Sequence, residues 1–399
     1  MRTARFTRSV LLGGTALALL LTTGPIAAQA AANPAAAKSA HVHVCGAPAH
    51  GAAACNAIRD DRVSSSGKVQ PNSTPSGYGP ADLRSAYNLT ATVSATQTVA
   101  IVDAYDDPNA EADLGTYRSQ FGLSACTTVN GCFRKVGQTG TSKPPRANGG
   151  WAQEISLDLD MVSAICPDCH ILLVEASSAS LTNLGTAVNT AARLGATAIS
   201  NSYGGSESSS DPSYDTSYYN HPGVAITASS GDSGYGAQYP AASQYVTAVG
   251  GTSLSRASNT RGWSETAWNG AGSGCSAYDT KPTWQAGTSC SKRAISDVSA
   301  IADPNTGVAV YDSYSYQGVS GWLVFGGTSV ASPIIASVYA LAGNAASVTY
   351  GSYPWSHTGS LNDVTSGSNG TCSTAVWCTA GTGWDGPTGL GTPNGIGAF

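Results

Sequence analysis

Short apolar runs of strand length alternate with longer amphipathic stretches along most of this chain. Thr98-Val99-Ala100-Ile101-Val102-Asp103, His170-Ile171-Leu172-Leu173-Val174-Glu175, Ala198-Ile199-Ser200-Asn201-Ser202, Val224-Ala225-Ile226-Thr227-Ala228 and Tyr245-Val246-Thr247-Ala248-Val249 read as strands. Their apolar character is continuous rather than alternating, which suits a parallel sheet covered on both faces. Helical periodicity runs from Asn109 to Phe121, from Trp151 to Ala164 and from Leu181 to Leu194, with an earlier amphipathic helix at Tyr78-Gly79-Pro80-Ala81-Asp82-Leu83-Arg84. The pattern predicts an α/β fold with a mostly parallel central sheet and helices on both faces. Two stretches without a period, Gly204 to Tyr219 and Trp263 to Ser291, predict long surface loops.

Ahead of this pattern stands a basic start, the apolar run Val10 to Leu21, and the small-x-small sequence Ala28-Gln29-Ala30. This reads as a signal peptide over 1–30. The run is shorter than the roughly 20 residues a bilayer span needs, and no later stretch is long and apolar enough. A secreted, extracellular protein free of the membrane is expected. Residues 31–76, polar and without periodicity, read as a linker or short propeptide, and 77–399 as one large domain. Charged residues are only 11% of the 399, with 24 acidic against 19 basic, so a nucleic-acid partner is excluded. Ten cysteines fall into close neighbours, 45 with 55, 126 with 132, 166 with 169, 275 with 290 and 372 with 378, and export favours local disulfides. The pair in Cys166-Pro-Asp-Cys169 also has redox or metal spacing, but no second such motif completes a zinc site.

One serine stands in a distinctive place. Gly326-Gly327-Thr328-Ser329 leads directly into the apolar run Val330-Ala331-Ser332-Pro333-Ile334-Ile335-Ala336, which sets a hydroxyl at a helix N-terminus. Alone it could be an N-cap. As a nucleophile it needs a base, and none of the six histidines (His41, His43, His50, His170, His221, His357) has a convincing setting. Glu154 and Asp158, four residues apart in Trp151-Ala152-Gln153-Glu154-Ile155-Ser156-Leu157-Asp158, share one helix face with no cation between them. Such a pair is either an exposed acidic face or two acids sharing a proton, which suits general-base work in acid. Asp232, in Ala228-Ser229-Ser230-Gly231-Asp232-Ser233-Gly234, is either a turn residue or a protonated donor to an oxyanion.

Together these segments resemble the sedolisins, the serine-carboxyl peptidases, which share a subtilisin-like fold but use Ser, Glu and Asp. Longer matches are Tyr78 to Leu89 and Tyr239 to Ser253, and the resemblance runs from about Tyr78 to the C-terminus. It implies Ser329 as nucleophile, Glu154 as general base, Asp158 as its supporting acid and Asp232 as oxyanion donor, in a monomer acting on protein or peptide substrates at acidic pH. Asp103 is a rival orienting acid ranked below Asp158, and Asn201-Ser202-Tyr203-Gly204-Gly205 resembles the strand that pairs with substrate. Near the C-terminus the resemblance implies one calcium ion, held by the side chains of Asp363 and Asp385 and the carbonyls of Val364, Gly381 and Gly383. The family often carries a long folded prodomain, whereas only about fifty residues separate signal from domain here. Two other readings stay open: a silent secreted binding protein on the same fold, and a histidine-dependent subtilisin-type enzyme using Asp103.

Overall fold

The computed structural model describes residues 38–63, 69, 72–93 and 97–399; the expected signal peptide lies outside them. The chain opens with β1 (Lys38–His43), β2 (Ala54–Cys55) and β3 (Ile58–Val63), then α1 (Pro80–Ala86). Next come β4 (Thr98–Ala104), α2 (Ala110–Gln120), β5 (Phe133–Gly137), α3 (Gly149–Ile165), β6 (His170–Ala176), α4 (Leu181–Arg193), β7 (Ala198–Asn201) and β8 (Tyr203–Gly204). They are followed by α5 (Asp211–Tyr214), β9 (Ala225–Ser229), β10 (Thr247–Arg256), β11 (Trp263–Ala267), β12 (Gly274–Cys275), β13 (Ala294–Ile295) and β14 (Val298–Ile301). The hairpin β15 (Val308–Tyr316) and β16 (Val319–Gly326) leads into α6 (Thr328–Ala342).

The central sheet runs β11-β10-β9-β7-β4-β6-β5, with β14 also paired to β10. All its pairings are parallel except β10 with β11. Every residue of β4 from Val99 to Ala104, and every residue of β9, is buried. Burial of successive residues, which point to opposite faces, means both faces are covered, as the continuous apolar runs predict. Helices α3 and α6 pack on each other and on the sheet, and α4 packs on β4, β6 and β7. The predicted helices and strands end within a few residues of the observed ones, except that β10 runs on to Arg256 because its second half pairs with β11 and β14.

Three stretches differ from expectation. Residues 38–63, read without periodicity as part of a linker or short propeptide, carry strands: β1 and β3 form an antiparallel pair, and β3 adds to β16 to make the sheet β1-β3-β16-β15. Arg59 of β3 is buried, its guanidinium bound to Asp61 and to Gln153 at 2.8 Å, so this strand is tied to α3 by a side chain. The stretch 204–219 folds inward, burying Asp211, Asp215 and Tyr219, with Tyr239 donating to Asp215 at 3.1 Å. The stretch 263–291 contains β11 and β12, buries Trp263 and Trp268, and is closed by the Cys275–Cys290 disulfide. Composition marks all three as loops; long-range pairing, which no local period encodes, makes them structure.

All ten cysteines pair as sequence neighbours: Cys45–Cys55, Cys126–Cys132, Cys166–Cys169, Cys275–Cys290 and Cys372–Cys378. A fully buried ion pair, Arg293 with Asp297, joins four segments: Asp297 also accepts from Ala248 N (2.8 Å), Gln285 Nε2 (3.1 Å) and Trp355 Nε1 (3.0 Å). Removing one partner leaves the other charge buried without compensation. Asp297→Ala should therefore cost about 3–5 kcal/mol of stability, read as a lower midpoint in urea or in calorimetry at a fixed scan rate; an unchanged midpoint would show the pair to be dispensable.

Candidate active site

Helix α3 is unusual in being wholly sunk: every residue from Gly150 to Ile165 is buried. It starts where the side chain of Asn148 accepts the Trp151 N–H at 3.1 Å, an N-cap that satisfies one of the free donors of the first turn. Burying the whole helix carries both Glu154 and Asp158, one turn apart, into the interior with no exposure at all. The acidic-surface alternative is thereby removed. Helix α6 starts after Gly327, whose φ of 94° lies in the region that favours glycine, so the chain turns sharply from β16 and puts Ser329 in the first turn.

Because α3 and α6 pack together, the two helices meet at this point. Ser329 Oγ donates to Glu154 Oε2 at 2.8 Å, and a second acceptor, the Ser202 carbonyl, lies at 3.2 Å. Ser202 Oγ donates to Asp158 Oδ1 at 2.8 Å. Asp103, at the end of β4, is equally buried, and neither of its oxygens has a partner; Glu154 Oε1 and Asp158 Oδ2 are also unpartnered. Burial holds all three carboxyl groups well above the ordinary carboxylate range. Asp158 and Asp103 add to the effect on Glu154, and Asp103 adds to that on Asp158. No lysine or arginine acts on them. Acids in this position hold protons and share them.

On the other side of Ser329, Asp232 Oδ1 accepts from the Thr328 N–H at 2.7 Å and from Thr328 Oγ1 at 2.8 Å. Its Oδ2 is buried without a partner. Burial pushes Asp232 up to about 7, although the two bonds from Thr328 pull the other way. The expected quartet Ser329, Glu154, Asp158 and Asp232 is thus brought together, and Asp103 joins it. Sequence reading missed Thr328, which orients Asp232, and the double role of Ser202; both are small polar residues in motifs where nothing but the tertiary meeting of helix and strand gives them work. No described histidine hydrogen-bonds to Ser329: His221 binds Asn189 at 2.7 Å, and His357 stacks on Tyr353. Asp363 Oδ2 accepts from Gly383 N at 2.9 Å and Asp385 Oδ2 from Gly381 N at 3.1 Å, so both of these acids meet the loop 381–383.

Fold and site together define a subtilisin-like α/β scaffold in which a serine hydroxyl is paired with a carboxylate instead of a histidine. Residues 138–358 match the subtilase family. Kumamolisin of Bacillus sp. (strain MN-32) is 30% identical over 371 residues, covering 82% of this chain and 63% of that protein. Xanthomonalisin of Xanthomonas sp. (strain T-22) is 28% identical over 398 residues, covering 81% and 46%. The structure of Pseudomonas sedolisin, a serine-carboxyl proteinase complexed with two molecules of pseudo-iodotyrostatin, superposes with a TM-score of 0.66 at 28% identity, covering 80% of this chain and 96% of that one. This chain belongs to the subtilase family. It spans 63% and 46% of the length of the two curated relatives.

Buried acids of this kind link stability to pH with a definite sign. Asp232 at about 7 and Glu175 at about 8 lie above their unfolded values, both raised first by burial. The stability they contribute is complete below about pH 4 and is lost as pH rises through 7 to 8. Thermal unfolding of the Ser329→Ala chain, which cannot digest itself, should show a midpoint about 5–10 °C higher at pH 4 than at pH 8; a midpoint rising over that range would contradict the assignment.

Proposed function

We propose that the chain is a secreted serine-carboxyl peptidase that hydrolyses protein or peptide substrates in acid, as a monomer. The observation that carries this reading is the 2.8 Å hydrogen bond from Ser329 Oγ to Glu154, backed by Asp158 and faced by the free oxygen of Asp232. Ser329 attacks the scissile carbonyl while Glu154 takes its proton. Protons shared among Glu154, Asp158 and Asp103 let Glu154 exchange a proton with the serine, and Asp158, one turn along α3 and bound by Ser202 Oγ, supports it. The carbonyl oxygen, turning negative, accepts from the Ser329 N–H and from the protonated Oδ2 of Asp232. Glu154 returns the proton to the leaving amine, and water releases the acyl group from Ser329 by the same path. No described helix is long and apolar enough to cross a membrane.

Asp363 and Asp385, with the carbonyls of Val364, Gly381 and Gly383, suit one calcium ion. The donor set is all oxygen, and the two carboxylates reach into one glycine-rich loop. Asp385 is fully buried and is pushed up to about 7, first by burial and last by Asp363, a strain a divalent cation relieves. The ion would staple the C-terminal loops and take no part in the reaction.

Two expectations follow. Peptide hydrolysis should be confined to acid and fade as pH rises through about 7, where Asp232 loses its proton. Ser329→Ala and Glu154→Gln should lower kcat by at least roughly 10³-fold and Asp232→Ala by about 10²–10³-fold; activity that survives Glu154→Gln, or appears only above neutrality, would sink the reading. Chelation should lower the midpoint of the Ser329→Ala chain by about 3–8 °C, with calcium alone restoring it, and Asp385→Ala should remove that response.

A further inference from the structure

Four further acids gather on two segments outside the Ser329 group. Glu207, Asp211 and Asp215 follow β8, and Asp279 follows β12. One carboxylate oxygen from each of Glu207, Asp211 and Asp279 lies within 4.8 Å of the other two; Asp211 and Asp279 are buried, and Glu207 is half-buried. Ser276 Oγ and Ala277 N (3.2 Å) donate to Glu207, and Ser208 donates to Asp211 through N and Oγ, both at 2.8 Å, so these two side chains are held in fixed directions.

Asp215 separates this cluster from an ordinary acidic patch. It is 1% exposed, its Oδ1 takes the Tyr239 hydroxyl at 3.1 Å, and its Oδ2 is buried with no partner. It faces Asp279, whose own Oδ1 is likewise unpartnered; after burial itself, Asp215 does most to push Asp279 up to about 8. No ion pair among the described residues includes any of the four. Buried acid oxygens without donors call for a proton or a cation. Glu207 opens the group to solvent, which gives an ion its way in.

We propose that Glu207, Asp211 and Asp279, backed by Asp215, hold a calcium ion separate from the one suited to Asp363 and Asp385. Donors that are all carboxylate, without histidine or cysteine, select a hard cation over zinc. A spread of up to 4.8 Å is what one ion at a metal–oxygen distance of about 2.4 Å spans, whereas magnesium asks for about 2.1 Å. The ion joins two walls of one cavity. Ser206, next to Glu207, lines the space of about 500 Å³ beside Asp232, as do Tyr235 and Gly236, which pair with Ser273 just ahead of β12. Glu207 and Asp211 already serve the donors named above, so the ion shares their oxygens and binds in the range of about 10⁻⁴–10⁻³ M. Trace metal lost on chelation is therefore that of the Asp385 site.

The test counts calcium by equilibrium dialysis on the full chain at neutral pH, in the Ser329→Ala background, so its outcome is independent of the peptidase reading. With calcium at about 10⁻² M, the chain carrying Ser329→Ala and Asp385→Ala should bind one ion, and adding Asp211→Asn and Asp279→Asn should abolish that binding, with circular dichroism confirming each fold. Should Asp385→Ala not fold, the Ser329→Ala chain is compared directly with its Asp211→Asn, Asp279→Asn form, which should bind one ion fewer. Hydrogen exchange read by mass spectrometry should slow at least about tenfold in 206–215 and 276–279 when calcium is added to the Ser329→Ala chain, and magnesium at equal concentration should not reproduce the effect; if the Asn variants do not fold, this arm decides. No calcium bound by a folded Asp385→Ala chain, or binding that survives both Asn substitutions, overturns the site and leaves four acids that share protons. Calcium bound without slower exchange overturns the joining of the two walls.

Discussion

Three carboxyl groups buried together with no cation among them set the conditions for everything else at this site. Asp103, Glu154 and Asp158 cannot all be charged in a medium that solvates charge poorly, so protons must be held and shared among them. That requirement makes a serine hydroxyl, an acid beside it and a protonated Asp232 a consistent set in acid and an inconsistent one at high pH. A histidine would relax the constraint by accepting a proton as a cation; none is hydrogen-bonded to Ser329 among the described residues.

The contrast with the Arg293–Asp297 pair is instructive. There, two buried charges face each other and are surrounded by donors, so the pair organises four segments around a neutral unit. At the site, several acid oxygens remain without donors. Among them are Glu154 Oε1, Asp158 Oδ2, both oxygens of Asp103 and Asp232 Oδ2. The rigid meeting of α3 and α6 keeps those positions open, since a fully buried helix has little freedom to relax around an uncompensated acid.

The strap between β1 and β3 uses the same edges that a foreign peptide would. Its backbone bonds to β8 and to Ala179 are independent of side chains, while Asn56 alone reaches a side-chain partner beyond the strand. The strands that flank the strap in sequence, β1 and β3, pair with each other, and β3 pairs with β16, so both ends of the strap are anchored in one sheet.

The sequence by itself determined the α/β class, the near-exact extent of the main helices and of most of the central parallel strands, and the local disulfides, and it marked Ser329, Glu154, Asp158 and Asp232 as candidates. These are all local signals: continuous apolar runs, a glycine turn before an apolar helix, two acids one turn apart, and cysteines a few residues from their partners. Only the tertiary structure decided that Glu154 and Asp158 face inward, since a spacing of four gives a shared helix face but not which face is buried. It alone brought Asp103, Ser202 and Thr328 into the group, and turned residues 38–63 from an apparent linker into paired strands across Ser329. The reason is the same in each case: pairing and burial join separate segments, as in the 175 residues between Ser329 and Glu154, and no local period encodes the partner.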